Sequence, residues 1–286
     1  MKYHKTAKSL VSDLNLVRND HRSIGFVPTM GALHHGHISL IERAKAENDT
    51  VVCSIFVNPK QFNNESDLVD YPKSISADME LLLEHGADFL YHPAFEDVYP
   101  NDPLGDDIEL NGLDAIYEGK HRPGHFKGVA QVVHRFFQIV QPNTAYFGQK
   151  DFQQTVVVNH LIRTKSLPIK LIVCPIVRES NGLAMSSRNE RLSLQQRNKA
   201  SFIYQALLKL KERTYFMPLH QAVDKTRLHL SGKEGATLEY LHAVDGVTMA
   251  EVQLLEESDY VVVVTVVEFG GVRLLDNIIL KSPVSG

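Results

Sequence analysis

The stretch SIGFVPTMGALHHGHISLIERA, residues 23–44, decides the fold. Its opening, 23–27, reads as a short buried strand. Its close places Ile38, Ile41 and Ala44 at helical spacing. Between them lies a turn with two glycines and three histidines. Strand, glycine-bearing turn and helix together make a βα unit. Working outward, 50–57 (TVVCSIFV) is rich in β-branched residues and reads as a second strand. Residues 76–85 follow as a helix with Met79, Leu82 and Leu83 on one face and Gly86 as its stop. A third short strand is expected at 88–91. Residues 93–124 are rich in Pro, Gly, Asp and Asn and read mainly as loop, with a little structure at 109–115. A loop of that length inside a compact domain is usually functional or mobile. Residues 128–140 return to helix with Val129, Val132, Val133, Phe136 and Phe137 inward; 144–147 is a strand; Asp151 can N-cap a helix running to about Arg163. The last strand of this half is 169–173.

Strand and helix alternate throughout, so the expectation is α/β: a Rossmann-like parallel sheet with helices on both faces. The rhythm changes after Pro175. Two helices, 194–213 and 219–230, precede strands at 237–244, 260–267 and 272–280, the last pair joined by Gly270-Gly271. That order suggests a small α+β domain with an antiparallel sheet. The expected domains are 1–177 and 178–286. No element is assigned before Ser23.

Composition sets the outer bounds. The chain has 286 residues, 43% hydrophobic and 22% charged, which excludes an intrinsically disordered chain. Thirty basic residues against 34 acidic ones leave a net charge of -4, so no large nucleic-acid footprint is expected. Cys53 and Cys174 each sit in an apolar run that reads as a buried strand, which argues against a disulfide framework and for a reducing cytoplasm. The first 16 residues hold no apolar segment of signal-peptide length, and the longest apolar run, near 260–267, is too short for a membrane helix.

The chemistry concentrates at strand ends. In an open α/β sheet, ligands bind at the carboxyl ends of the strands, and a helix N-terminus there favours an anion such as phosphate. Gly31 and Gly36 let the backbone approach a ligand. His34 and His37, three apart, can face one point and hydrogen-bond the charge that builds on an α-phosphate. Two other readings stand beside this one. The histidines could ligate zinc, although their spacing is not the i, i+4 of a helical zinc motif and neither cysteine is near in sequence. They could also be plain helix-cap or surface histidines. The sequence FGQKD, 147–151, reaches the same edge, with Lys150 placed for phosphate oxygens; a cation at a helix start calls for a compensating anion. The loop LAMSSR, 183–188, offers two hydroxyls and a guanidinium, a set suited to a triphosphate. After the second strand, FVNPKQF, 56–62, brings amides that suit a small polar substrate or an ordinary turn. Three strand ends with phosphate-binding groups and a fourth with amides point to a nucleotide enzyme.

The chain resembles the pantothenate synthetase (pantoate–β-alanine ligase) family. VPTMGALHHGH looks like its form of the HxGH signature of nucleotidyltransferases, and FVNPKQF, HRPGHFKGVAQVV, YFGQKDFQQ and GLAMSSRN follow in the family's order. The resemblance implies ATP contacts at Met30, Gly31, Ala32, Leu33, His34, His35, Gly36 and His37. It implies further ATP contacts at Gly148, Gln149, Lys150, Asp151, Val177, Met185, Ser186, Ser187 and Arg188. By the same resemblance Gln61 and Gln154 bind pantoate and His37 is the proton donor, so His34, His37 and Lys150 form the catalytic set. Gln149 stands where the family often has Glu. Some members place magnesium contacts shortly after the Tyr-Pro turn; only Asp78 matches here, so no protein metal ligand is expected and Mg2+ enters with ATP. The implied partners are ATP, pantoate and β-alanine, with a homodimer and no membrane. The pantoyl adenylate so formed needs shielding from water, for which the long loop and the small domain are candidates. Two other classes remain: a nucleotidyltransferase that stops after nucleotide transfer, and a nucleotide-binding regulator without turnover. AMP formation that needs both pantoate and β-alanine separates them.

Overall fold

The computed structural model describes all residues except 64–67, 70, 73, 101–107 and 284–286. Six parallel strands form the main sheet: β1 (Lys2–His4), β2 (Ile24–Thr29), β3 (Thr50–Ile55), β4 (Phe89–Tyr91), β5 (Thr144–Gly148) and β6 (Lys170–Cys174). Their order is β1-β4-β3-β2-β5-β6. The chain moves from β2 outward through β3 and β4, then returns to the other side of β2 for β5. The switch point therefore lies where β2 and β5 end, the place at which such sheets bind ligands.

Strand alternation explains why helices cover both faces. Val27, Val51, Cys53, Ile55 and Leu90 pack with Ile38, Ile41 and Ala44 of helix α2 (His35–Glu47). Phe26 points the other way, edge-on to Phe136 and Phe137 of the later helix His125–Val140. Period-two alternation along a strand makes such a two-faced core possible. The expected parallel sheet with helices on both faces is the observed one.

Several expected elements shift. Helix α1 (Ala7–Asn19) fills a segment given no element; Thr6 caps it, and Leu10, Leu14 and Val17 form its buried stripe. Helix α3 (Ile75–Glu84) buries Asp78 and Leu82, while Leu83 is 61% exposed rather than inward. At 100° per residue a stripe centred on 78 and 82 leaves 83 to the solvent side. Among its described residues the 93–124 segment, expected as loop and as a candidate cover, holds two short helices, α4 (Phe95–Val98) and α5 (Tyr117–His121); its middle, 101–107, lies outside the described residues. Helix α6 (His125–Val140) starts three residues early because Gly124, at φ +82°, supplies its N-cap. A 3-10 turn (Gln149–Asp151) then leads into helix α7 (Phe152–Thr164).

The chain divides into two compact units, Met1–Gly148 with Val157–Cys174, and Gln149–Val156 with Pro175–Gly286. In the second unit the expected 194–213 helix is broken into α8 (Leu194–Lys199) and α9 (Phe202–Arg213). At the break Ser201 donates its hydroxyl to the Asn198 carbonyl, a local bond that competes with the helix ladder. Helix α10 (Leu219–Ser231) follows, then the antiparallel strands β7 (Ala236–Asp245), β8 (Val261–Phe269) and β9 (Val272–Lys281). Gly270 and Gly271, both at positive φ, turn β8 into β9. Leu207, Leu210, Ala222, Leu230, Val261, Val263 and Val267 belong to the core of this unit.

Candidate active site

In the first unit the site grows from the end of β2. The Thr29 hydroxyl donates to the Ser54 carbonyl at 2.8 Å and accepts from the Gly31 N–H at 3.2 Å, which pulls the chain off the sheet axis. Gly31 at φ +85° and Ala32 at φ +49° continue the turn. A Cβ on Gly31 would also stand 3.0 Å from Asp78 Oδ2 and 3.1 Å from Ile55 Cγ2, so glycine is required twice over. Asp78, 2% exposed, accepts from the Ala32 N–H at 2.9 Å and the Leu33 N–H at 2.8 Å. In this chain the one residue matching a family magnesium position clamps the backbone of the turn that leads to the histidines.

His34 is the N-cap of α2 and His37 its third residue. Nδ1 of His34 accepts from the Gly36 N–H at 3.1 Å, and Nδ1 of His37 accepts from the His34 N–H at 3.4 Å. The rings lie 4.1 Å apart, centroid to centroid. An Nδ1 that accepts a hydrogen bond carries no proton, so each neutral ring holds its proton on Nε2. The helix cap thus fixes the tautomer of both imidazoles and makes each a donor through Nε2. The cap-histidine and phosphate readings are compatible, because the capping bonds use Nδ1 of each ring. His35, the first helical residue, is exposed; Met30, Ala32, Leu33, His34, Gly36 and His37 are half-buried.

Gln61 arrives from the end of β3. Asn58 accepts from the Lys60 N–H at 3.3 Å, closing the 3-10 turn Pro59–Gln61, and donates to the Gly128 carbonyl at 3.0 Å. The turn lies so close to α6 that a Cβ on Gly128 would come within 2.4 Å of the Lys60 carbonyl oxygen. His125 Nδ1 lies 2.8 Å from the Gln61 carbonyl, and Arg122 donates to the same oxygen at 3.5 Å. With its backbone held, the buried Gln61 donates Nε2 to Met30 Sδ at 2.9 Å. The structure therefore brings the predicted pantoate glutamine against the first residue of the predicted ATP segment. Thioether sulfur is a weak acceptor, so this amide gives up little by turning to an oxygen ligand.

Gly148 ends β5, and a Cβ there would meet nothing within 4 Å. In the second unit, Lys150 donates to Asp151 Oδ1 at 3.2 Å, the anion that a cation at a helix start calls for. Gln154, half-buried, lies in the first turn of α7. Val177 accepts from the Met185 N–H at 3.0 Å, and Arg178 and Ala184 form a β-bridge, so Val177 and Met185 face each other across a small hairpin. Ser186 then caps the 3-10 turn Ser187–Arg191 through the Arg188 N–H at 3.3 Å. Asn189, 1% exposed, donates to Glu179 at 2.8 Å and to the Ala184 carbonyl at 3.0 Å, fixing the base of that turn.

Sequence reading missed Asp78 as the turn clamp, Asn58 and Gly128 as supports of Gln61, and Arg178, Asp276 and Asn277 in the second unit. A buried acidic residue on the apolar stripe of α3 was a visible signal for the first. Among the described residues no three His, Cys, Asp or Glu side chains gather to hold a metal, and no helix is long and apolar enough to cross a membrane.

Comparison with known proteins agrees with this geometry. A family model described as pantoate-beta-alanine ligase matches residues 2–279. The chain is 44% identical over 282 residues to pantothenate synthetase of Phocaeicola vulgatus, covering 98% of this chain and all of that one. The crystal structure of pantothenate synthetase from Thermus thermophilus superposes with a TM-score of 0.91 at 38% identity, over 98% of this chain and 100% of that one. A pantoate-beta-alanine ligase from Francisella tularensis, complexed with beta-gamma ATP and beta-alanine, gives a TM-score of 0.78 at 37% identity over 98% of each chain. A βα turn that presents two tautomer-fixed histidines, with matches of this length and closeness, leads to one conclusion: the chain belongs to the pantoate–β-alanine ligase family.

Proposed function

We propose that this pantothenate-forming ligase works through a pantoyl adenylate, with ATP held by the residues named above. A carboxylate is a poor acyl donor, so a pantoate carboxylate oxygen first attacks the α-phosphorus of ATP. The new O–P bond forms as the bond to diphosphate breaks. The neutral amine of β-alanine then attacks the acyl carbon, the C–O bond to AMP breaks, and the nitrogen gives up one proton to solvent while keeping the other in the new amide. His34 and His37 donate through Nε2 to the oxygens of the five-coordinate α-phosphorus, and His37 serves as proton donor. Lys150, Ser186, Ser187 and Arg188 offset the charge of the departing diphosphate. Gln61 and Gln154 hold pantoate by amides, which orient the carboxylate without neutralising it; an arginine there would stabilise the ground state and blunt the nucleophile. No covalent enzyme intermediate is needed, in keeping with a chain whose two cysteines are both buried.

The observation that supports this reading most is the pair of imidazoles whose Nδ1 atoms accept from backbone N–H groups at the start of α2. Pantoate-dependent exchange of diphosphate into ATP tests it. His37→Ala and Lys150→Ala should each slow exchange about 100- to 1000-fold, the usual cost of removing a preorganised donor. Near-wild-type exchange in either variant removes that residue from the mechanism.

Mg2+ is assigned to ATP itself. Asp78 is given no part in holding the ion because it already accepts two backbone N–H bonds. Cytoplasmic location and a homodimer complete the proposal. Sedimentation should show a particle of twice the 32.2 kDa chain mass at micromolar concentration, and a monomer would refute the dimer.

A further inference from the structure

Strand β9 carries two residues that strands normally avoid. Asp276 and Asn277 are adjacent, 5% and 2% exposed, within the run VRLLDNIILK. Asp and Asn are depleted in strands, and a buried polar group destabilises the fold unless it finds partners. Both have found them, in the two segments of the second unit assigned to ATP phosphates.

The Asn277 amide is wholly engaged with the turn that bears Lys150. Its Nδ2 donates to the Gln149 carbonyl at 2.9 Å and the Lys150 carbonyl at 3.1 Å. Its Oδ1 accepts from Gln149 Nε2 at 2.9 Å. Both amide hydrogens and one acceptor thus go to two consecutive residues. A three-residue 3-10 turn has little hydrogen bonding of its own. Gly148, just before it, meets no neighbour that a side chain would touch. The Lys150 turn is held from β9.

Asp276 does the same for the other segment. Arg178 grips it with both terminal nitrogens, at 2.7 and 2.8 Å. The same guanidinium donates to the Gly182 carbonyl at 3.0 Å and stacks 3.5 Å above the Tyr204 ring. Arg178 lies at the base of the hairpin that delivers Met185, Ser186, Ser187 and Arg188. Burial pushes the Asp276 carboxyl up, and the pairing with Arg178 pulls it back. Neighbouring positions on one strand therefore fix both segments to a single rigid element.

We propose that Asn277 is a positioning residue for adenylation, acting through Lys150, while Asp276 and Arg178 seat the Ser186–Ser187–Arg188 turn from the adjoining position. The inference rests on the reading that Lys150 engages the diphosphate. A misplacement of about 1 Å costs roughly 100-fold in such steps. Asn277 touches no reacting atom, so its loss should lower kcat and leave the KM for pantoate unchanged.

The experiment is a double-mutant cycle in the full-length protein, read by pantoate-dependent exchange of diphosphate into ATP. Asn277→Ala should lower kcat about 10- to 100-fold, and Asn277→Ala with Lys150→Ala together should be no slower than Lys150→Ala alone. Multiplying effects would mean that Asn277 acts independently of Lys150, which overturns the proposal. Wild-type kcat in Asn277→Ala while Lys150→Ala is slow overturns it as well. If Lys150→Ala itself is fast, the reading of Lys150 fails first and the proposal with it. Should Asn277→Ala not fold, Asn277→Thr serves instead, since threonine suits a strand and keeps one donor. It should melt with the wild type yet lose at least fivefold in kcat; a folded Asn277→Thr with full kcat rejects the idea.

Discussion

Asp78 shows how far one carboxylate can shape a turn through bonds to the backbone alone. Its two oxygens satisfy the Ala32 and Leu33 N–H groups, and a Cβ on Gly31 would crowd one of them at 3.0 Å. Asp78→Ala leaves two half-buried donors without an acceptor, a cost of about 1–3 kcal/mol each. The variant should therefore melt lower and lose ATP affinity together, and Asp78→Asn, which keeps one acceptor oxygen, should recover part of both. Calorimetric titration with ATP beside a melting curve would check this; full ATP affinity in a destabilised Asp78→Ala would break the link between turn and site. The candidate residues that the sequence offers share one property. His34, His37 and Lys150 sit in local strand–turn–helix patterns whose meaning is contained within about ten residues. Asp78, Asn58 and Asn277 act on positions 45, 70 and 128 residues away, and no local pattern carries that distance.

At the scale of elements, the short edge strand β1 carries a group that responds to solution conditions. It has three residues, pairs only with β4, and ends on His4, which is 8% exposed. His4 lies 3.1 Å from the Ser9 hydroxyl and 3.2 Å from Asp13, and its ring tilts against Phe89. Burial lowers its pKa from the ordinary 6.5, against the opposing pull of Asp13. The folded state therefore favours the neutral ring. That contribution is complete above the ordinary imidazole value and is lost as pH falls through the window below it. The melting-temperature advantage of wild type over His4→Phe should shrink on acidification; an advantage that grows would mean the Asp13 pairing outweighs burial. This same end of the chain escaped sequence reading. The stripe of Leu10, Leu14 and Val17 is regular, but Lys, Ser, Asp and Asn around it dilute the apolar signal, and β1 is too short to show alternation. The central strands and α2 were legible because burial on both faces leaves nearly unbroken apolar runs. The break at Ala200 and Ser201 was not, since both flanking segments are good helix and only a side-chain bond separates them.

Across the whole sheet, the two cysteines report on how the first unit opens. Cys53 lies in β3, between β2 and β4, and Cys174 ends the edge strand β6. Strands β2 and β5 stand between them, so at roughly 4.8 Å per strand they are at least about 14 Å apart, beyond the reach of a disulfide. Both thiols are buried, and burial pushes Cys53 up to about 12 and raises Cys174 as well. The thiolate is the reactive species, so neither residue reacts while the sheet is closed. The two differ in what must open. An edge strand can separate from one neighbour, whereas an interior strand is released only when the sheet itself comes apart. Cys174 should therefore be alkylated at a rate that depends weakly on denaturant, and Cys53 at a rate with the full denaturant dependence of global unfolding. Site-resolved mass spectrometry after timed labelling distinguishes the two. Equal rates in native buffer would show that the middle of the sheet opens as readily as its edge, which a doubly covered parallel sheet with β2 and β3 at its centre does not allow.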